Sequence, residues 1–178
     1  AICVGRLEWE KGIDRLIDIW LSVHNTHPDW VLDIYGQGML QDELQQKIIA
    51  ANAGTYIHLK GSSPDIMYEY LNCSLLVLTS RYEGFPMTLL EAMACGVPCV
   101  TYDCPFGPRS MITNMRNGIL VEEGDKKEMV DKINYLIENE KNRKKIGTNA
   151  RKYVLQYSQK NIMDKWNILF NNCLTLTS

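Results

Sequence analysis

Residues 79–98 read TSRYEGFPMTLLEAMACGVP, and the interpretation of the whole 178-residue chain begins with this segment. An apolar run from Leu75 to Leu78 precedes the segment and predicts a buried strand. A turn that contains Gly84 and Pro86 then leads into an apolar helix, which we expect to end near Gly96. The segment therefore predicts a strand, a loop and a helix in direct succession.

Two carboxylates, Glu83 and Glu91, lie on either side of this turn. Glu83 falls in the loop, and Glu91 falls about one turn inside the helix, so both can face the space above the loop. The first N–H groups of the helix face the same space and favour an anion such as a phosphate. An acid near a helix N-terminus is also favourable without a ligand, but Glu91 has apolar neighbours and needs a partner if it is buried. The segment suits a sugar nucleotide, whose hydroxyls the carboxylates would bind.

Composition and charge exclude several classes of protein. The chain is 46% hydrophobic and 22% charged, with a net charge of −2, so it has no general attraction for nucleic acid or anionic membranes. No apolar run approaches the roughly 20 residues of a membrane-spanning helix. Six cysteines form no C-x-x-C pair, and the spacing of Cys95, Cys99 and Cys104 fits no zinc pattern, so we expect a reduced, cytosolic setting. The chain begins with a strand-like segment rather than Met, and we expect it to be part of a longer protein.

Strand-like and helix-like segments alternate along the whole chain. The predicted strands are residues 1–4, 31–35, 56–59, 75–78, 97–102 and 119–121. Predicted helices begin near residues 13 and 40, the second with an apolar stripe of Leu44, Ile48 and Ile49 and a stop at Gly54. Ser63 is expected to cap a short helix with Pro64 at its first position, and further helices are expected over 126–138 and 142–153.

This alternation predicts an α/β fold, with a Rossmann-like parallel sheet of about six strands and helices on both faces. We place the main domain at residues 1–158. Residues 159–178 are assigned to a C-terminal amphipathic helix, whose apolar residues recur at helical spacing: Ile162, Trp166, Leu169, Phe170 and Cys173.

The loops after five of the predicted strands carry glycine, charge or turn residues. Ligands of open parallel sheets bind outside the carboxyl ends of the strands, so these loops are expected to form one site. The loop residues, in strand order, are Gly5, Arg6 and Lys11; Gly36 and Gly38; Gly61 and Ser62; Arg81 to Pro86; and Cys104 to Arg109.

Arg6 and Lys11 are two cations in one strand-to-helix loop, where they could clamp a diphosphate. The alternative is that they pair with Glu8 and Glu10 on a solvated surface. Gly36-Gln37-Gly38 lacks the third glycine of a dinucleotide fingerprint, and a tight turn explains it equally well. The three histidines, at positions 24, 27 and 58, have no metal-like spacing.

Five motifs together resemble the nucleotide-sugar-binding half of retaining glycosyltransferases of family 4. They are GRLEWEKG (5–12), YGQG (35–38), SRYEGFPMTLLEAMACGVPCV (80–100), FGPRSMI (106–112) and NGILVEEGD (117–125). The resemblance implies a GT-B architecture, in which two Rossmann-like domains enclose a cleft. This chain would be the C-terminal domain, and its last helix would pack back toward the missing N-terminal domain.

The resemblance also implies roles for individual residues. Arg6 and Lys11 would be the cations of the donor phosphates, Glu83 would contact the donor sugar, and these three form the predicted catalytic set. Glu91 would hold the ribose, the backbone from Phe85 to Leu89 would meet the phosphates, and Lys60 to Ser62 would border the base. The predicted binding set is Gly5, Gly38, Lys60, Gly61, Ser62, Gly84, Phe85, Pro86, Met87, Thr88, Leu89 and Glu91. Ser110 departs from the family, which often has an acid there, and so does Pro86, where glycine is common.

The implied reaction is transfer of a hexosyl unit from a nucleoside-diphosphate sugar, with uridine diphosphate (UDP) as the first choice of carrier. The acceptor would be a glycan or a lipid-linked sugar bound through the missing domain, and no divalent metal or other cofactor is expected. The full protein would be cytoplasmic, with peripheral association at the inner face of the membrane, and this chain alone would be inactive. The alternatives are a GT-B epimerase or phosphorylase, and a nucleotide-sensing module of flavodoxin-like shape. Such a module should carry acids after the first strand, where this chain has Arg6.

Overall fold

A computed structural model describes residues 1–175, and side chains through residue 172. Six parallel strands form one sheet with the order β3-β2-β1-β4-β5-β6. The strands are β1 (Ile2–Val4), β2 (Leu32–Tyr35), β3 (Ile57–Gly61), β4 (Leu76–Leu78), β5 (Cys99–Tyr102) and β6 (Ile119–Val121). The predicted fold class, a Rossmann-like α/β fold with about six parallel strands, is confirmed.

Seven α-helices alternate with and follow the strands in the described residues. They are α1 (Ile13–Thr26), α2 (Gln41–Ala50), α3 (Ile66–Asn72), α4 (Met87–Ala94), α5 (Lys126–Glu138), α6 (Glu140–Val154) and α7 (Gln159–Thr175). Helix α1 packs against α2 and α5, while α4 packs against α3 and α6. Residues 176–178 of the predicted last helix, and the side chain of Cys173, lie outside the described residues. No helix in the described part of the chain combines the length and the apolar character needed to cross a bilayer.

The core forms where the apolar patterns predict it. Every residue of β4 and β5 is buried, which is typical of central parallel strands covered on both faces. Along α1 the buried side chains recur at three- and four-residue spacing: Ile13, Leu16, Ile17, Trp20 and Val23. Both β6 and α5 have the predicted bounds.

The end of α2 differs from the prediction. Ile49 does not join the buried stripe of Leu44 and Ile48, because it points away from the sheet with 55% of its surface exposed. The helix ends at Ala50, and Asn52 rather than Gly54 adopts the left-handed conformation, with a φ of 53°. Asparagine tolerates this conformation because its short polar side chain can bond locally.

The start of α3 also differs. The cap is Asp65 instead of Ser63, because an Asp65 Oδ1 oxygen accepts a hydrogen bond from the Tyr68 N–H at 3.1 Å. The Ser63 hydroxyl accepts from the Asp65 N–H at 3.2 Å and therefore fixes the approach to the helix. Strand β3 extends to Gly61 instead of ending at Leu59, so Lys60 lies within the strand.

Candidate functional site

The loops after β1 and β4 are joined at the carboxyl edge of the sheet. The Thr79 hydroxyl donates to the Gly12 carbonyl oxygen at 2.8 Å, and the Arg81 N–H donates to the Glu10 carbonyl oxygen at 2.8 Å. Gly12 has a φ of 62°, and a Cβ atom there would lie 2.1 Å from the Thr79 carbonyl oxygen. Glycine is therefore required at position 12 for the two loops to meet.

This junction brings Lys11 and Glu83 together. The Lys11 Nζ donates to both carboxylate oxygens of Glu83, at 2.8 Å and 2.9 Å. The Ser80 hydroxyl donates to Glu83 Oε1 at 2.7 Å. Glu83 is only 8% exposed, so this ion pair is largely removed from solvent. We refer to the loops that follow β1 and β4, together with the start of α4, as the Lys11–Glu83 site.

Arg6, the other predicted cation, lies in a different environment. Its side chain is 70% exposed and forms an ion pair with Glu10, four residues further along the chain. Glu8 instead accepts a hydrogen bond from the Met39 N–H at 3.1 Å. The surface-pairing alternative therefore describes Arg6, while Lys11 reaches across the sheet edge to Glu83.

The start of α4 presents backbone N–H groups beside this pair. Pro86 is the N-cap, and helix geometry leaves the N–H groups of Met87 and Thr88 without an intrahelical acceptor. The Leu89 N–H donates to the Pro86 carbonyl oxygen at 3.0 Å, and the Leu89 side chain is buried. Pro86 has no N–H and the Leu89 N–H already has an acceptor, so Met87 and Thr88 are the first-turn amides that remain open to an anion.

In the loop before α4, Gly84 has free space beside it, whereas the next residue, Phe85, packs against another part of the chain. A Cβ atom on Gly84 would meet no atom within 4 Å, so the space above this residue is free. The ring of Phe85 is half-exposed and packs edge-on against Tyr157, with ring centroids 5.9 Å apart. Phe85 thus turns its side chain toward the turn that precedes α7.

Glu91 lies in the fifth position of α4 and is half-buried. One of its oxygens, Oε2, accepts a hydrogen bond from the Tyr70 hydroxyl at 3.3 Å. Tyr70 is fully buried, and burial together with the nearby Glu91 charge raises the pKa of its hydroxyl. Tyr70 therefore stays protonated and donates, while Glu91 keeps further acceptor capacity toward solvent.

The remaining predicted binding residues lie in the loops after β1 and β2 and at the end of β3, and several of them contact other parts of the chain. A Cβ atom on Gly38 would lie 2.4 Å from the Leu7 carbonyl oxygen, so the close approach at this glycine is to the first loop of the chain. Gly5 lies beside Lys11, since a Cβ atom on this glycine would be 3.6 Å from the Lys11 side chain. The Gly61 carbonyl oxygen accepts from the Gly36 N–H at 2.8 Å. Lys60 and Ser62 are exposed at the end of β3.

Arg81 has a structural role that no local sequence pattern indicates. Its guanidinium donates to both carboxylate oxygens of Asp14, at 2.8 Å and 2.6 Å, and to the Trp9 carbonyl oxygen at 2.7 Å. It also lies over the Trp9 ring, 4.9 Å from its centroid. The hydrogen bond from Arg81 lowers the pKa of Asp14. Arg81 thus fastens the loop that carries Glu83 to the loop that carries Lys11.

The loop after β5 closes one side of the site. A Cβ atom on Gly107 would lie 2.7 Å from the Glu83 Cβ, so this loop packs directly on the glutamate. The exposed Arg109 pairs with the half-buried Asp103, and the Ser110 hydroxyl donates to the Gly107 carbonyl oxygen at 2.7 Å. Ser110 therefore serves the loop itself. Across the described residues, no three His, Cys, Asp or Glu side chains are grouped to hold a metal ion.

Comparison with known proteins identifies relatives along nearly the whole chain. The sequence profile of the family described as "Glycosyl transferases group 1" matches residues 1–153. The chain is 33% identical over 171 residues to the amylovoran biosynthesis glycosyltransferase AmsD of Erwinia amylovora, which covers 96% of this chain and 48% of AmsD. It is 32% identical over 170 residues to the poly(ribitol-phosphate) alpha-N-acetylglucosaminyltransferase of Staphylococcus aureus (strain COL), which covers 95% of this chain and 34% of that protein.

Solved structures give the same result. A TarM mutant from S. aureus, in complex with fondaparinux, alpha-GlcNAc-glycerol and UDP, matches with a TM-score of 0.90 and 32% identity over 96% of this chain and 35% of its own. The pneumococcal O-GlcNAc transferase GtfA, in complex with UDP and GlcNAc, matches with a TM-score of 0.87 and 28% identity over 97% of this chain and 35% of its own. The chain thus spans about half or less of the length of these relatives. Since the family profile covers most of its residues, the chain belongs to the glycosyl transferases group 1 family.

Proposed function

We propose that this chain is the nucleotide-sugar-binding C-terminal domain of a retaining GT-B glycosyltransferase of family 4. The full enzyme would transfer a hexosyl unit from a UDP-sugar to a glycan or lipid-linked acceptor. The observation that carries this proposal is the Lys11–Glu83 pair beside the first amides of α4, with Glu91 one turn further along. Structural relatives crystallised with UDP support the choice of nucleotide.

Lys11 and the start of α4 would stabilise the departing diphosphate. The ammonium and the N–H groups of Met87 and Thr88 are positive groups already held in place, so little reorganisation is needed when negative charge develops on the leaving group. Arg6 is exposed, and its guanidinium is free to exchange Glu10 for a phosphate in a two-bond contact.

Glu83 would contact the donor sugar by an exchange of partners. Both of its oxygens already accept hydrogen bonds from protein groups, Lys11 and Ser80. When a diphosphate attracts the Lys11 ammonium, one oxygen of Glu83 loses its partner and becomes available to a sugar hydroxyl. Donor binding and the release of Glu83 are therefore coupled in this proposal.

Glu91 would accept hydrogen bonds from the ribose hydroxyls. The Tyr70 hydroxyl holds one oxygen, and the half-buried carboxylate retains capacity for a diol. The acceptor would be bound through an N-terminal domain, which would also supply any group that contacts it from the other side of the cleft. Helix α7 would pack back toward that domain, and the protein would act in the cytoplasm, with peripheral association at the membrane. No divalent metal would be needed for donor binding.

Calorimetric titration of the chain with UDP tests the proposal. We expect measurable binding that EDTA leaves unchanged, and we expect Glu91→Ala to weaken it by about 1–3 kcal/mol, the value of a hydrogen bond to a charged group. The matched control is Glu138→Ala, at the far end of α5, which should bind UDP as the wild type does. A folded chain that binds no nucleoside diphosphate would contradict the proposal.

The chain alone should show no transferase activity, because half of the proposed cleft is supplied by the N-terminal domain. A donor-hydrolysis and transfer assay on the purified chain, with UDP-glucose and UDP-N-acetylglucosamine, measures this directly. Sustained turnover would show that the chain contains a complete active site.

A further inference from the structure

A cavity of about 320 Å³ lies between the loop before β6 and the C-terminal half of α6. Its volume is near the lower end of the range of about 300–1,000 Å³ that is typical of small-molecule sites. None of its lining residues belongs to the Lys11–Glu83 site; they are Thr113, Arg116, Asn117, Asn149, Lys152 and Tyr153. Two are cations, the other four are polar, and none is an acid. We propose that this cavity binds a phosphate-bearing anion.

The frame of the cavity is held by a buried polar side chain. Asn117 is only 2% exposed; its Oδ1 accepts from the Thr113 N–H at 2.7 Å, and its Nδ2 donates to the Met111 carbonyl oxygen at 3.0 Å. The loop that carries Arg116 is therefore closed on itself by both ends of one amide. A ligand would meet a loop that is already ordered, which reduces the cost of binding.

Hydrogen bonds also join the two walls. The Asn149 Nδ2 of α6 donates to the Arg116 carbonyl oxygen at 2.9 Å. The Tyr153 hydroxyl, one turn further along α6, donates to the Ser110 carbonyl oxygen at 3.2 Å. These contacts fix the spacing between the loop and the helix, so the cations of the two walls face one shared space.

The charges of the cavity are uncompensated. In the described part of the chain, neither Arg116 nor Lys152 forms an ion pair with an acid. Four other arginines, in contrast, are paired with acids: Arg6, Arg15, Arg81 and Arg109. Because the chain as a whole has a net charge of −2, attraction for an anion here is local.

The chemistry of the two cations favours phosphate. A guanidinium offers two parallel donors to a pair of phosphate oxygens, and an ammonium adds a compact charge. Thr113 also lines the cavity, and a threonine hydroxyl can donate to a third oxygen. The phosphate could belong to a soluble phosphate ester or to the headgroup of an anionic lipid, and the test has an arm for each source.

The first arm is an NMR titration of the chain with sn-glycerol 3-phosphate at constant ionic strength. We expect saturable amide shifts at Thr113, Arg116 and Asn149, read separately from shifts at Met87 and Thr88, which report the Lys11–Glu83 site. The double variant R116Q/K152Q should lose affinity at the cavity by at least about tenfold, because both charge-assisted contacts are removed. Its shifts at α4 should not change. Both side chains are exposed, so the variant should fold, and an unchanged thermal midpoint checks this.

The second arm is cosedimentation with vesicles of phosphatidylcholine, alone or mixed with phosphatidylglycerol. Binding to the mixed vesicles that R116Q/K152Q abolishes would assign the site to a lipid headgroup, and saturable binding of the soluble ester would assign it to a free phosphate. The control is K126Q/K127Q, two exposed cations of α5, which should behave as the wild type in both arms. The proposal is overturned if neither probe binds, or if R116Q/K152Q binds both as tightly as the wild type.

Discussion

The two glutamates that follow β4 lie in different environments, although the sequence presents them as a pair. Glu83 is 8% exposed, and both of its oxygens are occupied by Lys11 and Ser80. Glu91 is half-buried and accepts one long hydrogen bond, from Tyr70. The difference indicates that Glu83 is held by protein groups, and under the proposed function a ligand would have to draw Lys11 away before Glu83 could contact a sugar. Glu91 has capacity for a ligand from the start.

Removing the cation beside Glu83 should have the largest effect. Lys11→Met leaves a nearly buried carboxylate without its counter-charge, and breaking such a pair typically costs about 3–5 kcal/mol. Because the Ser80 hydroxyl remains, we expect the lower end, a loss of about 3 kcal/mol in the free energy of unfolding. Urea denaturation followed by circular dichroism at neutral pH measures it.

Arg6→Met is the matched control for this experiment. It removes a cation from the same loop, but the Arg6–Glu10 pair is exposed to solvent, so the loss should be below about 1 kcal/mol. Equal losses for the two variants would show that Lys11 and Arg6 are energetically alike, and the distinction between a framework pair and a surface pair would be lost.

The second effect concerns Arg81, whose hydrogen bonds join the loop after β4 to the loop after β1 and the start of α1. Arg81→Met removes two hydrogen bonds to Asp14 and one to the Trp9 carbonyl oxygen, and we expect the free energy of unfolding to fall by about 2 kcal/mol. Arg81→Lys keeps the charge but cannot donate two parallel hydrogen bonds to Asp14, so it should lower the free energy of unfolding by less than Arg81→Met does but should not match the wild type. Arg109→Met, at an exposed pair, should leave the denaturation midpoint unchanged. If Arg81→Met also leaves the midpoint unchanged, the contacts of Arg81 with Asp14 and Trp9 do not contribute to the free energy of unfolding.

Much of this arrangement follows from the sequence, because strand alternation alone brings the loops of β1 and β4 to one edge. The sequence does not show which cation, Arg6 or Lys11, forms the ion pair with Glu83. That choice depends on the close contact between the two loops at Gly12 and on the length and direction of each side chain. The Arg81–Asp14 pair joins residues 67 positions apart and has no local pattern. The cap of α3 is ambiguous in the sequence because Ser63 and Asp65 are both good caps, and the structure has Asp65 in that position.

The third effect is a pH dependence at Asp14. The hydrogen bond from Arg81 lowers the pKa of Asp14 from its ordinary value of 3.8. A lowered carboxyl pKa contributes stability that is fully present above the ordinary value and is lost as the pH falls through the native value. The stability difference between the wild type and Asp14→Asn should therefore be constant above about pH 5 and should shrink below it. Urea denaturation across an acid pH series measures this, and a difference that persists unchanged in acid would contradict it.

The smallest effect concerns the partner of Glu91. Tyr70→Phe removes one hydroxyl whose bond to Glu91 is long, at 3.3 Å, and the half-buried carboxylate can take water in its place. We expect a loss of about 1 kcal/mol or less in the free energy of unfolding, and a decrease in UDP affinity of less than about tenfold. The comparison with Lys11→Met is the informative one. If Tyr70→Phe lowers the free energy of unfolding as much as Lys11→Met does, the contacts of Glu91 contribute as much to stability as those of Glu83. In that case Glu91, like Glu83, would have to exchange a protein partner before it could bind a ribose, and the UDP affinity of Tyr70→Phe measured by calorimetry would rise above that of the wild type.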